Sequence, residues 1–144
     1  MPGMTRRTLT LIGGVLLVGG LLLTASTGAA HHSIAGIYDA SRPVTMTGVV
    51  REFRFVSPHP WVVIDVTGSG GQARPWRSEM DNLFELAGVG ITAETLKAGD
   101  RVVVTGHPAR SGAESLYVRQ LDRAADGFRY EQIGNSPRVR FTSR

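Results

Sequence analysis

The succession of segment types between Val44 and Leu121 limits the fold more than any other feature of the chain. Val44 to Val56 carries Val44, Met46, Val49, Phe53 and Phe55 in partial alternation broken at Gly48, which marks a long bent strand with a bulge or a close backbone approach at the glycine. Trp61-Val62-Val63-Ile64-Asp65-Val66 is β-branched and apolar, Thr67-Gly68-Ser69-Gly70-Gly71 is turn-forming, and Ala73 to Met80 returns as the other arm of a hairpin. Asp81 is placed to cap a short helix carrying Leu83, Phe84, Leu86 and Ala87 and ending at Gly88, and Thr92 to cap a turn running to Leu96. The Val-rich stretch Arg101 to Gly106, a turn at Ser111-Gly112, and Leu116, Val118 and Leu121 complete the pattern with two more strands. Five strands with one helix between the third and fourth is the order of an oligonucleotide/oligosaccharide-binding (OB) barrel. The expected fold class is therefore mainly β, a small OB-like five-stranded barrel with one short helix, preceded by an N-terminal signal helix.

A chain of 144 residues with 42% apolar and 19% charged residues holds one globular domain and needs no second. Met1 to Ala30 reads as a leader: Arg6 and Arg7 open it, Leu9 to Leu23 is apolar, and Thr24 to Ala30 is small and polar, as a processing site requires. Gly13, Gly14, Gly19 and Gly20 interrupt an apolar run already short of a membrane span, so cleavage is favoured over permanent anchoring. The adjacent arginines also loosely resemble a twin-arginine export signal. Residues 1–30 are thus expected as signal peptide, 31–123 as the OB-like domain, and 124–144 as a tail forming loop or edge strand. This places the mature protein in the periplasm or outside the cell, with membrane contact only through the signal segment before cleavage.

The formal charge of +4 and pI near 10.3 would suggest nucleic acid in a cytosolic chain. Arg6 and Arg7 supply half of that charge, and an exported domain does not meet nucleic acid, so this partner is set aside. With no cysteine, disulfides, thiolate metal sites, lipoprotein acylation and covalent haem attachment are excluded.

The histidines carry the chemistry. Cleavage after Ala30 would give His31 a free amine beside its own imidazole, the chelate of a histidine brace, and a further imidazole from His32, His59 or His107 would complete a tetragonal nitrogen site of the kind that favours Cu(II). Cleavage after Ala29 instead makes His32 the third residue, whose imidazole closes a square-planar site with the amine and two backbone amides, again suited to copper or nickel. The bland alternative is that His31 and His32 are a frayed terminus. His59 lies between Pro58 and Pro60, which restrict it to extended backbone; it is either a ligand or a loop histidine packed beside Trp61. His107 stands as a reserve ligand. Glu79 either joins His59 or binds an arginine such as Arg77 or Arg54, and the arginine pairing is the simpler expectation. Trp61 and Trp76 are candidates for stacking a ligand, although aromatic residues at strand spacing commonly fill the core. Ser33 and Asp39 lie near His32 without a nucleophile-elbow sequence, so no catalysis is expected.

His31-His32-Ser33, Tyr38-Asp39, Pro43-Val44-Thr45 with Gly48, Pro58-His59-Pro60-Trp61, Trp76 with Glu79, and Leu96-Lys97-Ala98-Gly99-Asp100 with Gly106 together resemble an exported bacterial family known as domain of unknown function 6152. The resemblance runs from His31 to about Leu121 and implies no activity. Ser57 stands where the family usually has asparagine, and Ser78 to Gly90 departs from its usual polar loop. The expected function is an envelope protein that binds or carries copper through His31, His32 and His59; the alternative is a non-metal module recognising an envelope protein or a small ligand.

Overall fold

A computed structural model describes residues 34–142. The expected leader, His31 and His32 lie outside the described residues. After a helical turn over residues 34–37, Tyr38 forms an isolated bridge to Ala109, with Asp39 N–H donating to Pro108 O at 2.8 Å and Arg110 N–H to Ile37 O at 2.8 Å. The segment before Pro43 is therefore a short ordered arm lying along a strand end.

Seven strands follow: β1 (Val44–Arg54), β2 (Trp61–Thr67), β3 (Ala73–Glu79), β4 (Arg101–Pro108), β5 (Ser115–Arg123), β6 (Phe128–Ile133) and β7 (Ser136–Phe141), with the helix α1 (Leu83–Gly88) between β3 and β4. The sheet runs β3-β2-β1-β4-β5-β6-β7, and a parallel pairing of Arg77 to Glu79 with Ser115 to Tyr117 joins β3 to β5. That pairing closes β1-β2-β3-β5-β4 into the five-stranded barrel read from the sequence. Its interior is apolar: Val62, Ile64, Val102, Val104, Leu116, Val118 and Leu121 are almost wholly buried, each worth roughly 2 kcal/mol of burial.

Gly48 is the close approach, and the bulge lies two residues further on. A Cβ at Gly48 would stand 2.5 Å from both Ile64 Cγ2 and Asp65 O, so only glycine lets β1 cross β2 at this depth. The register shifts between Val50 and Glu52, which puts Val50 inside and Val49 outside and still returns Phe53 to the core side.

The helix cap is Asn82 and not Asp81: Asn82 Oδ1 accepts from Glu85 N at 2.9 Å. Asp81 turns inward instead, where its Oδ2 accepts from the Gln132 side chain and its Oδ1 from Asn82 N at 2.7 Å. The tail is more ordered than a loop, because β6 and β7 form a hairpin that extends the sheet beyond β5, with β7 at the edge. Phe128, Tyr130 and Gln132 of β6 face inward, and Tyr130 is fully buried. Among the described residues no helix is long and apolar enough to cross a membrane.

Candidate functional site

The barrel seam carries a row of outward residues. Trp61 pairs with Glu79 across β2 and β3, Glu79 with Tyr117 across β3 and β5, and Tyr117 with His107 across β5 and β4. The arm lies over this row: the Tyr38 ring packs on Tyr117 with centroids 5.9 Å apart, and its hydroxyl donates to Glu79 Oε2 at 2.7 Å. Burial pushes the Tyr38 phenol up to about 12, with Ser115 opposing the shift and Glu79 adding to it.

The loop between β1 and β2 sets His59 beside the same carboxylate. Leu83 N–H donates to Pro58 O at 3.1 Å and Met80 N–H to Pro60 O at 2.8 Å, so main-chain bonds hold the loop on both sides of His59; the Ser57–Pro58 peptide is cis. His59 Nδ1 lies 3.3 Å from Met80 O and 4.0 Å from Glu79 Oε1. A carbonyl oxygen only accepts, so this contact puts a proton on Nδ1, and in the neutral ring the lone pair is then on Nε2. The imidazole is about a quarter exposed, enough to meet solvent.

Glu79 takes neither expected arginine. Its oxygens are drawn to the Tyr38 hydroxyl and toward His59, Arg54 pairs with Glu52, and Arg77 lies over Trp61 with its guanidinium carbon 4.3 Å from the ring centroid. The two tryptophans do not form one platform. Trp61 stands outside, opposite Glu79, whereas Trp76 pairs with Ile64 and packs against the core. Phe53 and Phe55 likewise pack on each other, 5.9 Å apart, and on the core.

His107 is separated from Glu79 by the strand that carries Tyr117, so the two residues stand two strands apart, roughly 10 Å. Burial lowers its pKa first, and the Arg119 charge lowers it further against the pull of Asp39. Among the described residues no group of three His, Cys, Asp or Glu side chains could hold a metal ion. The described part of the chain thus brings together His59 and Glu79, leaves His107 apart, and turns Trp76 inward.

The profile of a family of unknown function, DUF6152, matches residues 20–117. The chain belongs to this family. The match takes in the arm, the His59 loop and the barrel as far as the start of β5, and the β6–β7 hairpin lies beyond its end. No curated protein matches the chain.

Sequence reasoning missed Tyr38 and Ser115 as site residues and took Arg77 only as a counterion. The available signal was period-two spacing: once Trp61 is set opposite Glu79, Arg77 falls on the same outer face as both. The arm over the seam had no such signal, because a single bridge at Tyr38 leaves no periodic trace.

Proposed function

We propose that this is an exported domain that binds or carries copper without catalysing a reaction. Its ligands are the amine and imidazole of His31 after cleavage, His32, and His59. The observation that supports this reading is the setting of His59. A histidine whose Nδ1 donates to a main-chain carbonyl offers Nε2 in a fixed direction, the outer-shell arrangement commonly found behind metal-bound imidazoles. Nitrogen donors in a chain without cysteine suit Cu(II). Glu79, 4.0 Å from Nδ1, adds a negative charge that favours a bound cation.

The test is calorimetric titration of Cu(II) into the exported form, whose first residue is read by mass spectrometry. Binding at micromolar strength or tighter is expected, abolished in His31→Ala and weakened at least about tenfold in His59→Ala. Absence of heat with the wild-type chain, or a secreted form beginning past His32, ends the reading. The second reading is a non-metal module of the cell envelope that binds a partner or small ligand at its outer face; the position of Trp61 on the outside of the barrel favours it.

A further inference from the structure

Arg77 differs from most arginines of the barrel strands. Those pair with carboxylates: Arg51 with Asp65 at 2.6 Å, Arg74 with Glu114 at 2.9 Å, and Arg123 with Asp100 at 2.5 Å. Arg77 makes no ion pair among the described residues, although Glu79 lies two residues away on the same face of the strand. Glu79 is occupied by the Tyr38 hydroxyl at 2.7 Å and flanked by His59. The Arg77 backbone is fixed by a bond from its N–H to Glu114 O at 3.0 Å, and its side chain by the Trp61 ring.

A guanidinium whose carbon lies 4.3 Å from an indole centroid and which has no carboxylate partner among the described residues keeps N–H groups for an incoming anion. Those groups form a planar fork that matches the two oxygens of a carboxylate, and the stacking has already restricted the side chain. We propose that Arg77 on Trp61 is a binding site for the carboxylate of a small organic acid. Arg54, opposite Trp61 across β1 and β2, is taken by Glu52, and Glu79 lies close by, so a monoanion is favoured: every further negative charge on the ligand adds repulsion from Glu79. The site is independent of the copper reading, since it uses neither His59 nor the N-terminal histidines.

The test is nuclear magnetic resonance of the full chain at neutral pH and constant ionic strength, following the Arg77 Nε–H and Trp61 indole N–H signals. Sodium acetate is expected to shift both saturably, with affinity on the order of millimolar, while sodium chloride at equal ionic strength does not. In Arg77→Gln the indole response should weaken by at least about tenfold, whereas Arg129→Gln, on β6 and paired with Asp122, should respond as the wild type does. The spectrum of each variant reports whether it is folded, and Trp61→Phe supplies a second route by removing the platform while keeping the cation. Equal, unsaturable shifts with acetate and chloride, or a full response in Arg77→Gln, overturn the site. Tighter saturation by inorganic phosphate than by acetate overturns the assignment to a carboxylate.

Discussion

Two polar clusters, one under the C-terminal hairpin and one at the barrel seam, use similar groups and end in different states. Under the hairpin, Tyr130 donates to Gln132 Oε1 at 2.6 Å, Gln132 Nε2 donates to Asp81, and Asp81 accepts from Asn82 N at 2.7 Å. All three side chains are buried, and the chain of donors and acceptors closes on itself. At the seam Tyr38 also donates to a carboxylate, but the neighbouring His59 is about a quarter exposed and Arg77 is exposed with no carboxylate partner among the described residues. Burial accounts for the contrast. A polar group shut away from water must find its partner within the protein, whereas a group beside water can keep binding capacity for something that arrives later. The closed cluster holds the fold, and the open one is where chemistry with a ligand is available.

Removing a member of the closed cluster should therefore have the largest effect. Asp81→Ala leaves the Gln132 amide and the Asn82 N–H without their acceptors in a buried setting, and a loss of about 2–3 kcal/mol is expected. Urea denaturation checks it through a lower midpoint at unchanged slope. A loss under about 0.5 kcal/mol would erase the distinction between the clusters.

Tyr38→Phe tests the open cluster and should cost less, about 1 kcal/mol, because Glu79 retains some exposure and water can replace the lost donor. Its pH dependence sharpens the point. The Tyr38 phenol is raised to about 12 in the folded protein against about 10 unfolded, so its contribution is full below pH 10 and is lost as pH rises through 12. Burial also raises Tyr117 and Tyr130, so three tyrosines share the alkaline decline. The variant should lose one of those three contributions between pH 10 and 12, seen as a shallower fall of stability with pH. An unchanged slope would mean that the arm leaves the seam before Tyr38 ionises.

The barrel was legible because its hairpin and helix carry local signals. Gly68 to Gly71 punctuates β2 and β3, and the short apolar stretch around Leu86 falls between strands as the OB order requires. Asn82 in place of Asp81 as cap was not legible, since both residues cap well and the choice was made by Gln132, fifty residues away. The hairpin of β6 and β7 was obscured by the same residue. Phe128 and Tyr130 alternate with Arg129 and Glu131, but a buried glutamine at the next inward position hides the apolar period, and Gly134-Asn135 then passes for loop. At the seam, Trp61, His59 and Glu79 were named from sequence, and their grouping waited on the register that sets Trp61 opposite Glu79.

The arm gives an acid-side counterpart to the alkaline effect. Hydrogen bonds from Ser41 and then Arg42 hold Asp39 down to about 2, so the stability it contributes is present above its unfolded value near 4 and is lost as pH falls through 2. Asp39→Asn should flatten stability against pH between 4 and 2. Hydrogen exchange at the Asp39 and Arg110 amides, which tie the arm to the barrel, should report the same change locally.

The smallest expected stability change is also the most decisive for the comparison. His59→Ala removes a part-exposed ring whose bond to Met80 O, at 3.3 Å, is at the long end of the range, and the loop keeps its main-chain bonds through Pro58 and Pro60. Stability should move by no more than about 0.5 kcal/mol, the size expected for a surface side chain, while copper affinity falls at least about tenfold. A drop of about 2 kcal/mol in urea denaturation with copper binding unchanged would reverse both expectations. It would place His59 with Gln132 among the residues that hold the fold, because a group kept for a ligand should be dispensable to folding, and one kept for packing should not be.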